Sequence, residues 1–267
     1  MKKRCFLFTS FFLIFSIFIS NAQPIKPKVL LKKTEQSIKE IKTLAYKINK
    51  KSKFFSDNDT LQKTAICSLY IVPENKMGAY HILNVKQLSN NIYGRYQYDG
   101  QFSIEFLYKT DSLDYERKVY ITNILEKESN SIGGIGYSLL LKDYFKKQNI
   151  FKQYRSFLAK FFLKDITTEE SVYNGIPVYI LTVYGKDKPR ENRINSAVEK
   201  YYIRKSDFLP IAHSFYGEFQ GMKETEFTEI EYLEINPELS LDAFKIDPSV
   251  KEVKPRVYYE EMQKYNL

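Results

Sequence analysis

The chain has 267 residues, of which 41 are lysine or arginine and 32 aspartate or glutamate, a formal charge of +9, and 43% are hydrophobic. That apolar share supports a packed interior in one large domain or two small ones, and no block of like charges marks a nucleic-acid tail. Two cysteines and two histidines leave little material for a disulfide framework or a metal cluster.

Lys2, Lys3 and Arg4 precede an unbroken apolar run, Phe6 to Ile19, and the small residues Ser20 and Ala22 follow. This is the pattern of a cleaved secretory signal over residues 1–22, with the cut after Ala22. The run is shorter than the ~20 residues that a bilayer-spanning helix needs. Cys5 precedes the run, so it is not placed for lipid attachment. The mature protein, residues 23–267, is therefore expected to be soluble, periplasmic or secreted, without a stable membrane span. Three of the basic residues and none of the acidic ones lie in the first 22, so the charge falls to +6. Cys67 remains as the single cysteine, which excludes an intramolecular disulfide.

Ile38, Ile41, Ala45 and Ile48 fall at helical spacing among lysines and predict an amphipathic helix over Leu31 to Lys50. The period then changes to two. Ala65, Cys67, Leu69 and Ile71 share one face of a strand, which makes Cys67 a small core residue; a reactive thiolate would need a basic partner and exposure. In "YGRYQYDGQFSIEFLY", Tyr96 and Tyr98 lead into Asp99-Gly100, and Phe102, Ile104, Phe106 and Tyr108 follow on one face. Asp-Gly suits a type I′ hairpin turn.

Residues near 139–164 predict a helical insertion, with Leu140, Tyr144, Phe151, Tyr154, Leu158 and Phe161 near one helical face. Asn174-Gly175 signals a second hairpin before "IPVYILTVYG", apolar on both faces and so a strand paired on both sides. Tyr201 to Asn236 then reads as strand, turn, strand, turn, strand. Gly133-Gly134 and residues 186–195 look like loops, neither long enough to divide the chain. The expected architecture is a helix, four or five antiparallel strands, a helical insertion and at least four more strands in a single domain.

The sequence contains no H-E-x-x-H, P-loop or G-x-S-x-G, and "GGIGYS" lacks the third glycine of a dinucleotide fingerprint. His81, His213 and Cys67 do not make up a structural zinc site. No catalytic residue, metal or cofactor is expected. His213 alternates with Leu209, Ile211 and Phe215 and belongs among core or cavity side chains; a metal or general-base role would require a partner within hydrogen-bond reach. Glu224, Glu226, Glu229, Glu231 and Glu234 match the wet face of a strand, with a slip between Phe227 and Ile230 that a bulge would explain. The 22 tyrosines and 20 phenylalanines fit strand propensity and also the lining of an apolar cavity. An exported chain without a basic groove argues against nucleic acid as a partner.

The order of three stretches, "IKTLAYKINKKSKFFSDNDTLQKTAICSLYIV", "YQYDGQFSIEF" and "KYYIRKSDFLPIAHSFY…EYLEINPELSLDAFKI", resembles the LolA-like outer-membrane lipoprotein-carrier superfamily. It is closest to the carrier-like domain that precedes thioredoxin domains in some exported thiol-disulfide proteins. The resemblance implies an α+β, mainly antiparallel fold: an unclosed β-barrel whose concave apolar face lies under a helical lid and, in true carriers, takes acyl chains. The sequence has no C-x-x-C, which removes disulfide exchange. The expected function is an exported, non-enzymatic carrier or sensor of an acyl chain or other apolar ligand. The alternative is a protein-interaction domain beside an envelope thioredoxin-like redox protein, and a hydrolase is a distant third. The side chains expected to form the cavity are Phe102, Ile104, Phe106, Tyr201, Ile203, Ile211 and Phe215, closed by Phe151, Tyr154, Leu158 and Phe161.

Overall fold

A computed structural model of the chain describes residues 25–75, 77–89, 92–109, 118–123, 154, 163–187 and 195–246, with 106–109 and 118–122 described along the backbone only. The expected signal segment and the lid residues Phe151, Leu158 and Phe161 lie outside the described residues.

Helix α1, Pro27–Lys39, starts on a proline whose missing N–H would have no partner there. It buries Leu30, Leu31, Thr34 and Ile38 as one stripe. Among the described residues eleven strands follow: β1 Thr43–Lys53, β2 Leu61–Ile71, β3 Ala79–Gln87, β4 Ile92–Tyr98, β5 Phe102–Lys109, β6 Lys118–Asn123, β7 Leu163–Tyr173, β8 Ile176–Gly185, β9 Asn195–Arg204, β10 Pro210–Phe219 and β11 Met222–Ile235. A 3-10 turn, Leu241–Phe244, comes last.

The helix expected to reach Lys50 ends at Lys39. Beyond it Leu44, Tyr46 and Ile48 take the period of two, and all three are buried. Ile38, Ile41, Ala45 and Ile48 fit a helical spacing, but they span a helix end, a connection and a strand. The Asn236 side chain fixes the entry to β1 by accepting the Lys42 N–H at 2.7 Å and the Thr43 N–H at 3.3 Å.

All strands join one antiparallel sheet in the order β6-β5-β4-β3-β2-β1-β11-β10-β9-β8-β7. Two meanders, β1 to β6 and β7 to β11, are therefore sewn together by the pairing of β1 with β11. The sheet is not closed, since β6 and β7 are its two edges. The result is the expected mainly antiparallel half-barrel with a helix over one face.

Register shows which side chains share that covered face. Tyr46 pairs with Cys67, Cys67 with Leu83 and Leu83 with Tyr96, one row across four strands. These residues form a single core with Leu30, Leu31 and Ile38 of α1 and with Ile230, Tyr201, Ile203 and Leu181 of the second meander. Each fully buried aliphatic side chain contributes about 1.5–3 kcal/mol. A second, smaller cluster on the opposite face joins Val178, Ile180 and Ile211 to Tyr173, Tyr202 and Tyr232. The 3-10 turn covers another part of that face: Phe244 lies edge-on to Tyr70 and Tyr80, and Gln97 Nε2 donates to the Phe244 carbonyl at 3.0 Å.

The turns follow local chemistry. Asn174 and Gly175 both take positive φ, 48° and 79°, as a type I′ turn requires. At Asp99-Gly100 only the glycine does, at 98°. The Asp99 carboxylate instead accepts the N–H groups of Gln101 at 3.0 Å and Phe102 at 2.7 Å, so this hairpin turns by side-chain capping and not by the expected type I′ geometry. No register slip occurs between Phe227 and Ile230: all four residues pair evenly with β1, and Phe227 to Glu229 also pair evenly with β10. The irregularity of β11 lies further on, between Tyr232 and Glu234, opposite Ala45 and Tyr46.

Candidate functional site

Strand β9 turns Glu199, Tyr201 and Ile203 toward the covered face. Across the ladder Tyr201 pairs with His213 and Glu199 with Phe215, while on the other side they pair with Leu181 and Val183. Tyr154, from the connection between the two sheet edges, meets this row. Its hydroxyl donates to Glu199 Oε2 at 2.9 Å and lies 3.2 Å from the Tyr201 hydroxyl. The Tyr201 hydroxyl donates to the same oxygen at 2.6 Å, and His213 Nε2 lies 3.4 Å from it. The imidazole packs on the Tyr201 ring with centroids 4.7 Å apart.

Burial alone would push the Glu199 carboxyl up. The hydrogen bonds from His213 and Tyr201, the His213 charge and the Tyr154 hydroxyl outweigh it and hold the group below the usual carboxylate range. Tyr201 is driven well above the usual phenol range, first by burial and then by Tyr154 and Glu199. At neutral pH the group is thus one carboxylate held by protonated phenols. An ionised carboxylate only accepts, so Nε2 of His213 carries a proton. Its Nδ1 is buried without a hydrogen-bond partner. Tyr201, Tyr154 and His213 are 1%, 6% and 6% exposed, whereas the Glu199 side chain is 31% exposed. Such an arrangement fixes a charge in place; it presents no activated nucleophile.

Of the residues expected to form a cavity, Tyr154, Tyr201 and Ile203 join the core of the covered face, and Phe215 lies on that face by its register opposite Glu199. Ile211 does not join them: β10 is irregular between Pro210 and Ala212, opposite Ile203 and Tyr202, and Ile211 packs with Val178 and Ile180 in the opposite-face cluster. Phe102 and Ile104 also face away. Ile104 pairs with Gln97 and Gln97 with Ile82, one residue out of step with the Leu83–Tyr96 row, so β5 offers Ser103 and Glu105 to the covered face. The Phe106 backbone pairs with Arg95 and Val119.

Glu199 was not among the expected site residues, although its alternation with Tyr201 and Ile203 signals a carboxylate on an apolar face. Cys67 is fully buried in the core, and burial pushes its thiol up to about 12, which makes it unreactive. The acidic residues of β11 divide between the faces: Glu226 pairs with Lys50 at 2.6 Å, while Glu229 accepts from Tyr173 on the opposite face. A separate open depression of about 350 Å³ is bordered by Lys50, Lys51, Gln62, Lys63, Phe227 and Glu229. Among the described residues no helix is long and apolar enough to cross a membrane.

No protein-family model matches the chain, and no curated protein does. Solved structures similar to it include LprF from Mycobacterium bovis, at 7% identity and a TM-score of 0.42, over 80% of this chain and 94% of that one. LppX from Mycobacterium tuberculosis is similar at 9% identity and a TM-score of 0.34, over 81% of this chain and 98% of that one. A LolA superfamily protein from Nitrosomonas europaea is similar at 8% identity and a TM-score of 0.30, over 84% of this chain and 99% of that one. With every one of these TM-scores below 0.5, the likeness carries no argument about what the site holds.

Proposed function

We propose that the protein is an exported, non-enzymatic carrier or sensor that holds an acyl chain or similar apolar ligand on the concave, covered face of the half-barrel. The observation that supports this most is topological. Strands β6 and β7 are opposite edges of the sheet, so the chain between Asn123 and Leu163 has to connect them, and Tyr154 from that connection sits on the covered face against Glu199 and Tyr201. Eleven strands at ~4.8 Å spacing make a face ~48 Å wide if flat. Helix α1, with 13 residues, is ~20 Å long and covers only part of it.

In this reading Tyr201, Ile203 and Phe215 form the floor, and Phe151, Tyr154, Leu158 and Phe161 belong to the cover. A chain of ten carbons gains ~8 kcal/mol on leaving water, comparable with the ~4–15 kcal/mol lost in freedom on association; a small polar ligand would not reach it. Mass spectrometry of the exported protein under native conditions tests the proposal, together with binding of the uncharged dye N-phenyl-1-naphthylamine. A lipid-sized adduct, or saturable dye binding displaced by dodecanol, is expected. Neither adduct nor displacement, with co-purification of a thioredoxin-like protein, would replace the carrier by an interaction domain.

A further inference from the structure

We propose that Glu199 is the head-group site for the ligand of the carrier reading and selects an amphiphile whose polar end donates hydrogen bonds, a protonated amine before an alcohol and a carboxylate last. The inference rests on the carrier reading and specifies its ligand.

The geometry is one-sided. Tyr154, Tyr201 and His213 all address Oε2 of Glu199, and Oε1 has no partner among the described residues. The three donors are themselves buried, while the Glu199 side chain remains 31% exposed, so the open oxygen belongs to the accessible part of the cluster. Its ladder neighbours are Val183 and Phe215, which contribute no charge. Among the described residues His213 is the one basic side chain within salt-bridge distance, ionic only when its ring is protonated, and no lysine or arginine pairs with it. An ionised carboxylate on an apolar face is costly unless it is compensated.

A second group is unmet in the same cluster. In the neutral His213 ring, with its proton on Nε2, the buried Nδ1 is a lone-pair acceptor without a hydrogen-bond partner. The open Glu199 oxygen accepts, so a head group that meets it donates. An alkylammonium head supplies three N–H donors and the opposite charge, and its chain continues onto the apolar floor. An alcohol supplies one donor and no charge. A fatty-acid carboxylate supplies neither and is repelled.

Displacement of N-phenyl-1-naphthylamine by dodecylamine, dodecanol and sodium dodecanoate, each below its micellar concentration at neutral pH, tests the order. The wild type should release the dye at an amine concentration at least about tenfold below that of dodecanoate, with dodecanol between them. In Glu199→Gln the amine and the acid should come within about twofold of each other, with dodecanol little changed. Equal displacement by all three in the wild type, or a preference for dodecanoate, overturns the head-group site and leaves the carrier reading intact; that comparison needs no variant. An amine preference that persists in a folded Glu199→Gln assigns the selectivity to another group and also overturns it. No displacement by any of the three defeats the carrier reading itself.

Discussion

Replacing Tyr154 by phenylalanine removes one hydroxyl and little else, which isolates the polar tie between the edge-to-edge connection and the sheet. That hydroxyl donates to Glu199 Oε2 at 2.9 Å, and the tyrosine is 6% exposed. A hydrogen bond to a charged group contributes about 1.5–3 kcal/mol. Oε2 keeps its bonds from Tyr201 and His213, so the lower end applies, and Tyr154→Phe should destabilise the protein by about 1.5 kcal/mol. Tyr154→Ala also removes the ring packed edge-on to Tyr201 at 6.1 Å and should cost about 3–5 kcal/mol. Urea unfolding of both variants, and of Tyr154→Phe combined with Glu199→Gln, supplies the measurement. The double mutant should lose less than the two single losses added, with a coupling of about 1 kcal/mol, because the partners touch. Additive losses, or a Tyr154→Phe effect below about 0.5 kcal/mol as at an exposed site, would mean that Tyr154 is not held on Glu199, and the observation that best supports a covered site would go.

Because Glu199 titrates below the usual carboxylate range in the folded protein, it contributes stability that is present above its unfolded pKa of ~4.3 and is lost as pH falls through the lower folded value. Glu199→Gln should therefore flatten the fall in stability on the acid side, and a wild-type acid limb retained in the variant would contradict this. Cys67, whose thiol is pushed up to about 12 in the core, should resist a maleimide at neutral pH until the protein unfolds, and Cys67→Ala should cost on the order of 1 kcal/mol; rapid native labelling would show an exposed thiol. Gly175 has φ +79° with open space around it, whereas Gly100 has φ +98° and an added Cβ there would lie 2.6 Å from the Tyr80 ring. Thermal unfolding should accordingly show a loss of about 1–2 kcal/mol for Gly175→Ala and a larger one for Gly100→Ala, and equal losses would remove the Tyr80 contact from the account.

Patterns local to one strand were legible in the sequence. The alternation in Ala65-Ile66-Cys67-Ser68-Leu69 placed Cys67 in the core, and Asn174-Gly175 located a hairpin from two residues. The error at β1 was also local: four apolar residues satisfied a helical spacing that a period of two satisfied as well. Relations between strands were out of reach. Alternation shows that Phe102 and Ile104 share a face, but not that it is the face opposite Tyr201. That depends on the Cys67–Leu83–Tyr96 register and on the β1–β11 seam, which joins segments almost 200 residues apart. A single irregularity at Pro210 to Ala212 reversed Ile211 while leaving His213 where alternation had put it.

The extent of burial bears on how a ligand would enter. On the covered face Leu83, Tyr96 and Tyr98 of the first meander are as deeply buried as Leu181 and Tyr201 of the second. Helix α1 is too short to shield both halves, and its lead-in is fastened toward one edge, where the Thr168 hydroxyl of β7 donates to the Ile25 carbonyl. Tyr154 is one described residue that adds to this cover, where it meets Glu199 and Tyr201 of β9. On the proposed carrier reading an acyl chain would have to exchange with side chains already packed there, so its net gain would be smaller than transfer from water alone gives. Glu199 is a polar position on that face: on the proposed reading a donor head at Oε1 would add to a carboxylate whose Oε2 keeps its bonds from Tyr154, Tyr201 and His213.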